Sequence, residues 1–242
     1  MNDVKSAKRI LEILRFFVEE KEPATLARLS AALGFPKSSC LALMDTLLAE
    51  GYAYQVSGRY YLTGRWQREA DIVARHDRLA LRCRDALCAL GAEVNETVIL
   101  AQLAQNKVAY LDVIEADHVL RFTAFVGQHK PLHASASGRA LLGALPEAQM
   151  RQVIADLPFE PCTGAEPRDP AALLRAVEAG RQQGWHVNVG EHQADTISVA
   201  VPVMLDGIAL ALVVGAPTSR LQDKVDQVGA TLQRAASELQ GP

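Results

Sequence analysis

The run His133-Ala134-Ser135-Ala136-Ser137-Gly138 sets an imidazole, two hydroxyls and a glycine within six residues. More than one chemistry fits that spacing. Ser137, with His133 four residues earlier, could supply a nucleophile and base for a small hydrolase. Small residues at a helix start also leave several N–H groups without partners, and the helix dipole adds partial positive charge there. Such a place suits a carboxylate. A capped helix that simply turns tightly would look the same in sequence. The hydrolase reading lacks a G-x-S-x-G elbow around Ser137 and an acid to orient His133. His129, His133, His186 and His192 fall in two segments expected to face each other, and imidazole suits zinc or nickel, so a metal-sensing site is an alternative. No pair of them has the tight spacing of a known metal site, and structural or solvent-facing roles rank ahead. Metal-dependent hydrolase spacing is absent, and nothing in the residues implies a cofactor.

A second group, Lys37, Ser38, Ser39 and Arg59, carries donors suited to phosphate oxygens and base edges. The elements around it must position it. Thr25 caps a short helix, Gly34 fits a tight turn that needs φ > 0, and Pro36 suits the first position of the next helix. In that next helix Cys40, Leu43, Met44, Leu47 and Leu48 form one stripe, and Lys37, Ser38, Leu41, Ala42 and Asp45 lie mostly opposite. The spacing predicts a helix-turn-helix ending at Gly51. Strand-like runs Tyr52 to Val56 and Arg59 to Thr63 flank Ser57-Gly58, the pattern of a wing. An ordinary amphipathic helix in a three-helix core is the bland reading of the same stripe. The wing favours DNA, with Arg59 near phosphate or the minor groove.

The chain has 242 residues, 49% hydrophobic and 22% charged. Such a composition predicts packed cores. The formal net charge of −3 argues against a basic coat over the whole molecule but not against a local DNA-binding face. Residues 1–63 carry eight Lys/Arg against seven Asp/Glu, a net of 8 − 7 = +1, so charge alone supports DNA binding weakly. The four cysteines form no C-x-x-C pair and read as reduced thiols buried like small hydrophobes. Glu12 and Arg15 interrupt any apolar leader, and no stretch approaches the roughly 18 apolar residues of a membrane span. A cytoplasmic protein with no membrane partner is expected.

Before the helix-turn-helix, residues Ser6 to Glu19 have helical spacing, with Ser6 as N-cap. Helical pattern returns from Gly64 to Gly91 and reads as a linker helix, then the first helix of a second domain stopping at Gly91. Thr97 to Ala104, Lys107 to Glu115 and Val119 to Val126 are β-rich, Gly127 to Pro131 is a loop, and a helix runs Arg139 to Ala144. Pro146 opens another helix, and Asp169-Pro170 starts a third that stops at Gly184. Trp185 to Val189, Thr196 to Leu205 and, after the Asp206-Gly207 hairpin, Ile208 to Val214 are strands. A final helix is predicted over Ser219 to Leu239. The fold class is α/β of the α+β kind. Its divisions are a winged helix-turn-helix over 1–63, a linker helix over 64–76, and a second domain with a mostly antiparallel sheet over 77–242.

Four pieces in order make the chain resemble an IclR-type transcriptional regulator over nearly its whole length. They are Ser6 to Leu14; Gly34 to Ser39 with Leu47 to Tyr52; Gly127 to Leu142; and Gly184-Trp185 through Val199 to Val203 with Gly215-Ala216-Pro217. The resemblance implies double-stranded operator DNA and a small-molecule effector as partners. It further implies a GAF/PAS-like effector domain, homodimers through the DNA-binding domain, and often tetramers. The matching positions imply that Thr25, Lys37, Ser38, Ser39, Leu41, Ala42 and Arg59 meet DNA. An acidic effector would be held by the backbone at Ala136 and Ser137, with Asn188, Ser198, Val213 and Gly215 lining its pocket.

The sequence departs from better-known members in places. Asn188 stands where an acidic residue is common, and Val213 and Gly215 where some carry polar side chains. Fewer polar partners imply a more apolar effector, for instance an aromatic acid, because unpaired buried polar ligand atoms are costly. Ala42 stands where an arginine is frequent. Leu41 and Ala42 can touch thymine methyls but cannot replace a bidentate bond to guanine, so Lys37, the two serines and Arg59 should carry more of the DNA binding.

Overall fold

The computed structural model describes residues 4–76 and 78–241, which divide into two units, Met1–His76 and Asp77–Pro242. The first unit contains α1 (Lys5–Glu20), β1 (Ala24–Thr25), α2 (Leu26–Leu33), α3 (Lys37–Ala49), β2 (Ala53–Val56), β3 (Arg59–Leu62) and α4 (Arg65–His76). Ile13, Leu29, Cys40, Met44 and Tyr60 close its core. Gly34 takes φ 66° between α2 and α3. This is the left-handed conformation that a side chain resists. Ser57 (φ 50°) and Gly58 (φ 74°) turn β2 into β3. Both central residues are left-handed, as a two-residue hairpin requires. Trp66 Nε1 donates to the Tyr52 carbonyl at 3.0 Å, and Arg65 donates to Glu69 at 2.6 Å and to the Glu50 carbonyl, so α4 is fastened to the end of α3 and the start of β2.

The second unit contains α5 (Arg78–Val94), β4 (Thr97–Ala104), β5 (Lys107–Ile114), β6 (His129–Pro131), α6 (Ala136–Ala144), α7 (Glu147–Ala155) and α8 (Pro170–Gln183). β7 (His186–Val189), β8 (Thr196–Leu205), β9 (Ile208–Pro217), α9 (Thr218–Leu221) and α10 (Val225–Gln240) follow. Its sheet is antiparallel in the order β6-β5-β4-β9-β8-β7. Side chains alternate between two faces, as the strand period dictates. Val98, Leu100, Leu212 and Val214 face α5 and α10. Ile99, Ala101, Ala200 and Val213 face α6, α7 and α8. The α+β architecture is the one expected from the sequence.

Several local expectations are corrected. Val119 to Val126 is not a strand, because the free edge of β5 is taken by β6, with Val108 opposite Lys130. His129–Pro131 is therefore a short strand rather than a loop. The segment before it follows its own course: Phe122 is buried and its carbonyl accepts from Thr97 Oγ1 at 2.7 Å. Gly91 lies inside α5, where a Cβ would come 3.1 Å from Ile114 Cγ2. Asn95 in the left-handed conformation ends the helix instead.

The Ser6 cap is replaced by Val4, whose carbonyl accepts from Lys8 N. Pro36 is the N-cap of α3, since its ψ of 138° keeps it extended. The predicted final helix breaks into α9, a 3-10 turn over Gln222–Lys224, and α10. Arg220 is held by Glu96 and the Leu120 carbonyl, which pins the first turn to the sheet end before the chain tightens and continues. Cys88 and Cys162 are exposed, on the outer side of α5 and in a loop, so only Cys40 and Cys83 behave as buried hydrophobes. Among the described residues no helix is long and apolar enough to cross a membrane.

Candidate functional site

On α3, Lys37, Ser38, Leu41 and Ala42 are exposed and Ser39 is half-buried, while Cys40, Met44 and Leu47 are buried below them. The helix therefore presents a continuous outward strip from its first turn. Its N-terminal turn contains a lysine and two hydroxyls, the arrangement that lets a helix start approach a phosphate. Thr25 Oγ1 accepts from Arg28 N at 3.3 Å, so its hydroxyl is the N-cap of α2. Arg28 itself is engaged by Glu20 and Glu22. Arg59 is exposed beside the hairpin turn and donates to the Pro23 carbonyl at 3.5 Å.

In the second unit, α6 starts earlier than predicted, at Ala136, with Ser135 as its N-cap. Ser135 Oγ accepts from Gly138 N at 3.1 Å and donates to the Pro131 carbonyl at 2.7 Å. This leaves the N–H groups of Ala136 and Ser137 as the uncapped donors of the first turn. Gly138 is there for space, since a Cβ would lie 2.2 Å from the Leu132 carbonyl oxygen. The helix start is buried, with Ser137 2% exposed.

A cavity lies beside this helix start. Asn188, Ser198 and Gly215 stand in one cross-strand row on β7, β8 and β9, with Ala200 and Val213 in another row of the same face. Ser137, Asn188, Ser198 and Val213 line the cavity. Ala136 does not, and Gly215 reaches it only indirectly: the Phe122 ring lies on Gly215 and forms the wall above it. Asn188 is occupied, donating to the Ala134 carbonyl at 2.8 Å and accepting from Glu191 N at 3.4 Å. The hydroxyls of Ser137 and Ser198 bond to no described residue. Tyr110 adds a second aromatic wall, and burial pushes its phenol pKa up, which keeps it a proton donor. The envelope between the walls is about 380 Å³, and most of it is too narrow for a water molecule. The cavity is contracted to roughly one water.

Sequence reasoning misses Lys130, Tyr110 and Phe122. Lys130 pairs opposite Val108, whose side chain belongs to the α6-facing core along with that of Tyr110. It therefore points toward the cavity from a strand whose sequence looks like a loop. It is 7% exposed, and its ammonium lies 5.9 Å from the Phe122 ring centre. Burial lowers its pKa. The rim comes from His192, Gln193 and Thr196. That loop is tied down by Glu191, which accepts from both terminal nitrogens of Arg139 at 2.8–3.0 Å, and by Thr163 Oγ1, which donates to the Gly190 carbonyl at 2.7 Å.

The hydrolase pair is not assembled. His133 Nε2 bonds to the Glu160 carbonyl at 3.0 Å, and no bond joins His133 to Ser137. Among the described residues no group of three or more His, Cys, Asp or Glu side chains could hold a metal.

The chain is similar to known proteins over nearly its whole length. Residues 6–57 match the family model "IclR helix-turn-helix domain", and residues 73–240 match "Bacterial transcriptional regulator IclR C-terminal". The HTH-type transcriptional regulator XynR of Escherichia coli K12 is 26% identical over 244 residues, covering 96% of this chain and 97% of XynR. The crystal structure of the Thermotoga maritima IclR has a TM-score of 0.83 at 20% identity, covering 98% of each chain. An IclR homologue from Microbacterium hydrocarbonoxydans, solved in complex with 4-hydroxybenzoate, has a TM-score of 0.75 at 24% identity, again covering 98% of each. These relatives are regulators rather than enzymes, and the chain belongs to the IclR family of bacterial transcriptional regulators.

Proposed function

We propose that the chain is a cytoplasmic, ligand-responsive regulator whose homodimer sets two copies of α3 into adjacent major grooves of operator DNA. Residues 1–63 bind DNA, 64–76 link, and 77–242 sense the effector. Lys37, Ser38 and Ser39 contact phosphates and base edges, Leu41 and Ala42 pack on thymine methyls, and Arg59 reaches the backbone or minor groove. Thr25 fixes the start of α2 near the backbone. Pairing runs through the DNA-binding units, and two dimers join as a tetramer.

The effector is an organic acid with an apolar ring. It sits between the α6 start and β7, β8 and β9, against Ser137, Asn188, Ser198 and Val213, with Ala136 offering its N–H and Gly215 acting through Phe122. The single observation that carries this reading is the cavity itself. It combines two aromatic walls with two unpartnered hydroxyls beside an uncapped helix start. That the fold of the Microbacterium homologue accommodates 4-hydroxybenzoate is compatible with it. Because the cavity is contracted to about one water, a ring must widen it. The ligand then has unequal affinity for two states, the condition for a switch.

A mobility-shift assay with DNA from upstream of the gene tests the reading, with and without benzoate, 4-hydroxybenzoate and glyoxylate. We expect sequence-specific retention that aromatic acids alter at concentrations where glyoxylate does not. Absence of specific retention overturns the DNA role, and preferential response to glyoxylate overturns the effector class.

A further inference from the structure

Lys130 stands in a partition. It and His192 line both the contracted inner cavity and an open basin outside it. The basin, about 700 Å³ in envelope, is also bounded by Lys107, His129, Glu160 and Cys162. A buried ammonium ordinarily has a carboxylate partner, because desolvating an unpaired charge is costly. Lys130 has none among the described residues. Two of the nearby carboxylates are committed elsewhere. Glu166 accepts from the backbone N–H groups of Cys162, Thr163 and Gly164, and Glu191 is held by Arg139. Glu160 is exposed on the basin side. The Cys162 and His192 side chains lie near the ammonium, and the Phe122 ring, 5.9 Å away, is its aromatic neighbour. At that distance it is only a weak one.

A cation that is nine-tenths buried, has no carboxylate partner among the described residues and stands between an aromatic-walled cavity and an open basin is placed to meet an anion in either. We propose that Lys130 is the specificity-determining counter-ion of the effector. It would select a carboxylate borne on an aromatic ring and reject neutral isosteres of the same shape. This rests on the acid-binding reading above and deepens it. The selection works as a difference of affinities. The carboxylate satisfies the ammonium, whereas an amide of equal size leaves it unpaired in a drier cavity. The basin, with two lysines against one carboxylate, gives an anion an attractive approach to the partition.

The test is calorimetric titration of the full chain with benzoate and with benzamide, alongside thermal unfolding, for wild type, Lys130→Met and Lys130→Arg. We expect wild type to bind benzoate at least tenfold tighter than benzamide. Lys130→Met should lose at least tenfold in benzoate affinity, leave benzamide unchanged, and melt no lower than wild type without ligand, since it removes a buried unpaired charge. Lys130→Arg should keep the preference for the acid. Equal benzoate binding by wild type and Lys130→Met overturns the counter-ion and leaves the acid-binding cavity standing. So does equal binding of benzoate and benzamide by wild type. A Lys130→Met protein that melts lower and loses both ligands marks the residue as structural and overturns the proposal. Binding of neither ligand by wild type overturns both the counter-ion and the aromatic-acid reading.

Discussion

Phe122 and Gly215 are in direct contact, ring on backbone: a Cβ at position 215 would lie 2.9 Å from Phe122 Cδ1 and Cγ. The glycine on β9 is thus the seat of an aromatic wall. Gly215→Ala must push the ring toward the cavity or out of it. Overpacking of this kind costs about 1–3 kcal/mol, and Phe122→Ala costs about 3 kcal/mol through the cavity it leaves. The double variant should cost less than the two single costs added, because the alanine at 215 then has room. Urea unfolding of the three variants measures this. Strict additivity would mean that the two residues do not share the site.

The contact also explains what could be read in advance. The helix-turn-helix is legible because its signals are local: Gly34 in the turn, the Cys40, Met44 and Leu47 stripe, and Ser57-Gly58 in the hairpin. Strands β4, β5, β7, β8 and β9 of the second sheet are legible from their patterning, and so is α6, although it starts three residues before the expected Arg139. The aromatic and cationic walls are not. Phe122 lies in an irregular segment whose apolar residues imitate a strand, and Lys130 lies on a strand of three residues, too short to show a period. Both reach the cavity only because β6 takes the edge of β5, a long-range choice that no local window contains.

Arg139 and Glu191 form the strongest tether of the cavity rim. Their side chains are 4% and 14% exposed, and the guanidinium also bonds the Val187 carbonyl. Removing one partner leaves a buried charge alone, at a cost of about 3–5 kcal/mol. Glu191→Ala should therefore lower the denaturation midpoint of the second unit markedly. Glu22→Ala, which breaks an exposed pair with Arg28, should leave the midpoint of the first unit almost unchanged. Chemical denaturation followed by far-UV circular dichroism separates the two outcomes. Equal small shifts would show that Glu191 does not tether the rim.

His186 gives the second unit a predictable response to acid. Its ring is 3% exposed, Nδ1 has no partner, and burial with the nearby charges of Arg139 and Arg181 lowers its pKa to about 4. In the unfolded chain a histidine titrates near about 6.5. Above that value both states are neutral and the group has no effect. Between roughly 6.5 and 4 the unfolded state takes up the proton first, so stability falls as pH falls, by at most about 3 kcal/mol at the acid end. Gly180 permits this burial, since a Cβ there would lie 2.1 Å from His186 Nδ1. His186→Gln should flatten the loss between pH 6.5 and 4 relative to wild type in thermal unfolding across pH. Parallel curves for the two proteins would show that another group causes the acid sensitivity.

The DNA face makes the last prediction, because its chemistry is so sparse. The outward strip of α3 offers one lysine, two serines, Leu41, Ala42 and the acidic Asp45, and the neighbouring Arg28 is already engaged by Glu20 and Glu22. On the proposed reading phosphate contact falls on Lys37 and on Arg59, whose bond to the Pro23 carbonyl, at 3.5 Å, is long enough to yield. Each cation that neutralises a phosphate releases about one counter-ion, so two copies in a dimer contribute about 2 to the slope of log affinity against log salt. Lys37→Ala and Arg59→Ala should each weaken binding to specific and non-specific DNA alike and lower that slope by about 2. Leu41→Ala should instead leave the slope intact and relax preference at a thymine position. Fluorescence anisotropy over a salt series reads all three. If the slope survives both cation substitutions, the phosphates are held elsewhere, and the basic residues of α1 become the next to test.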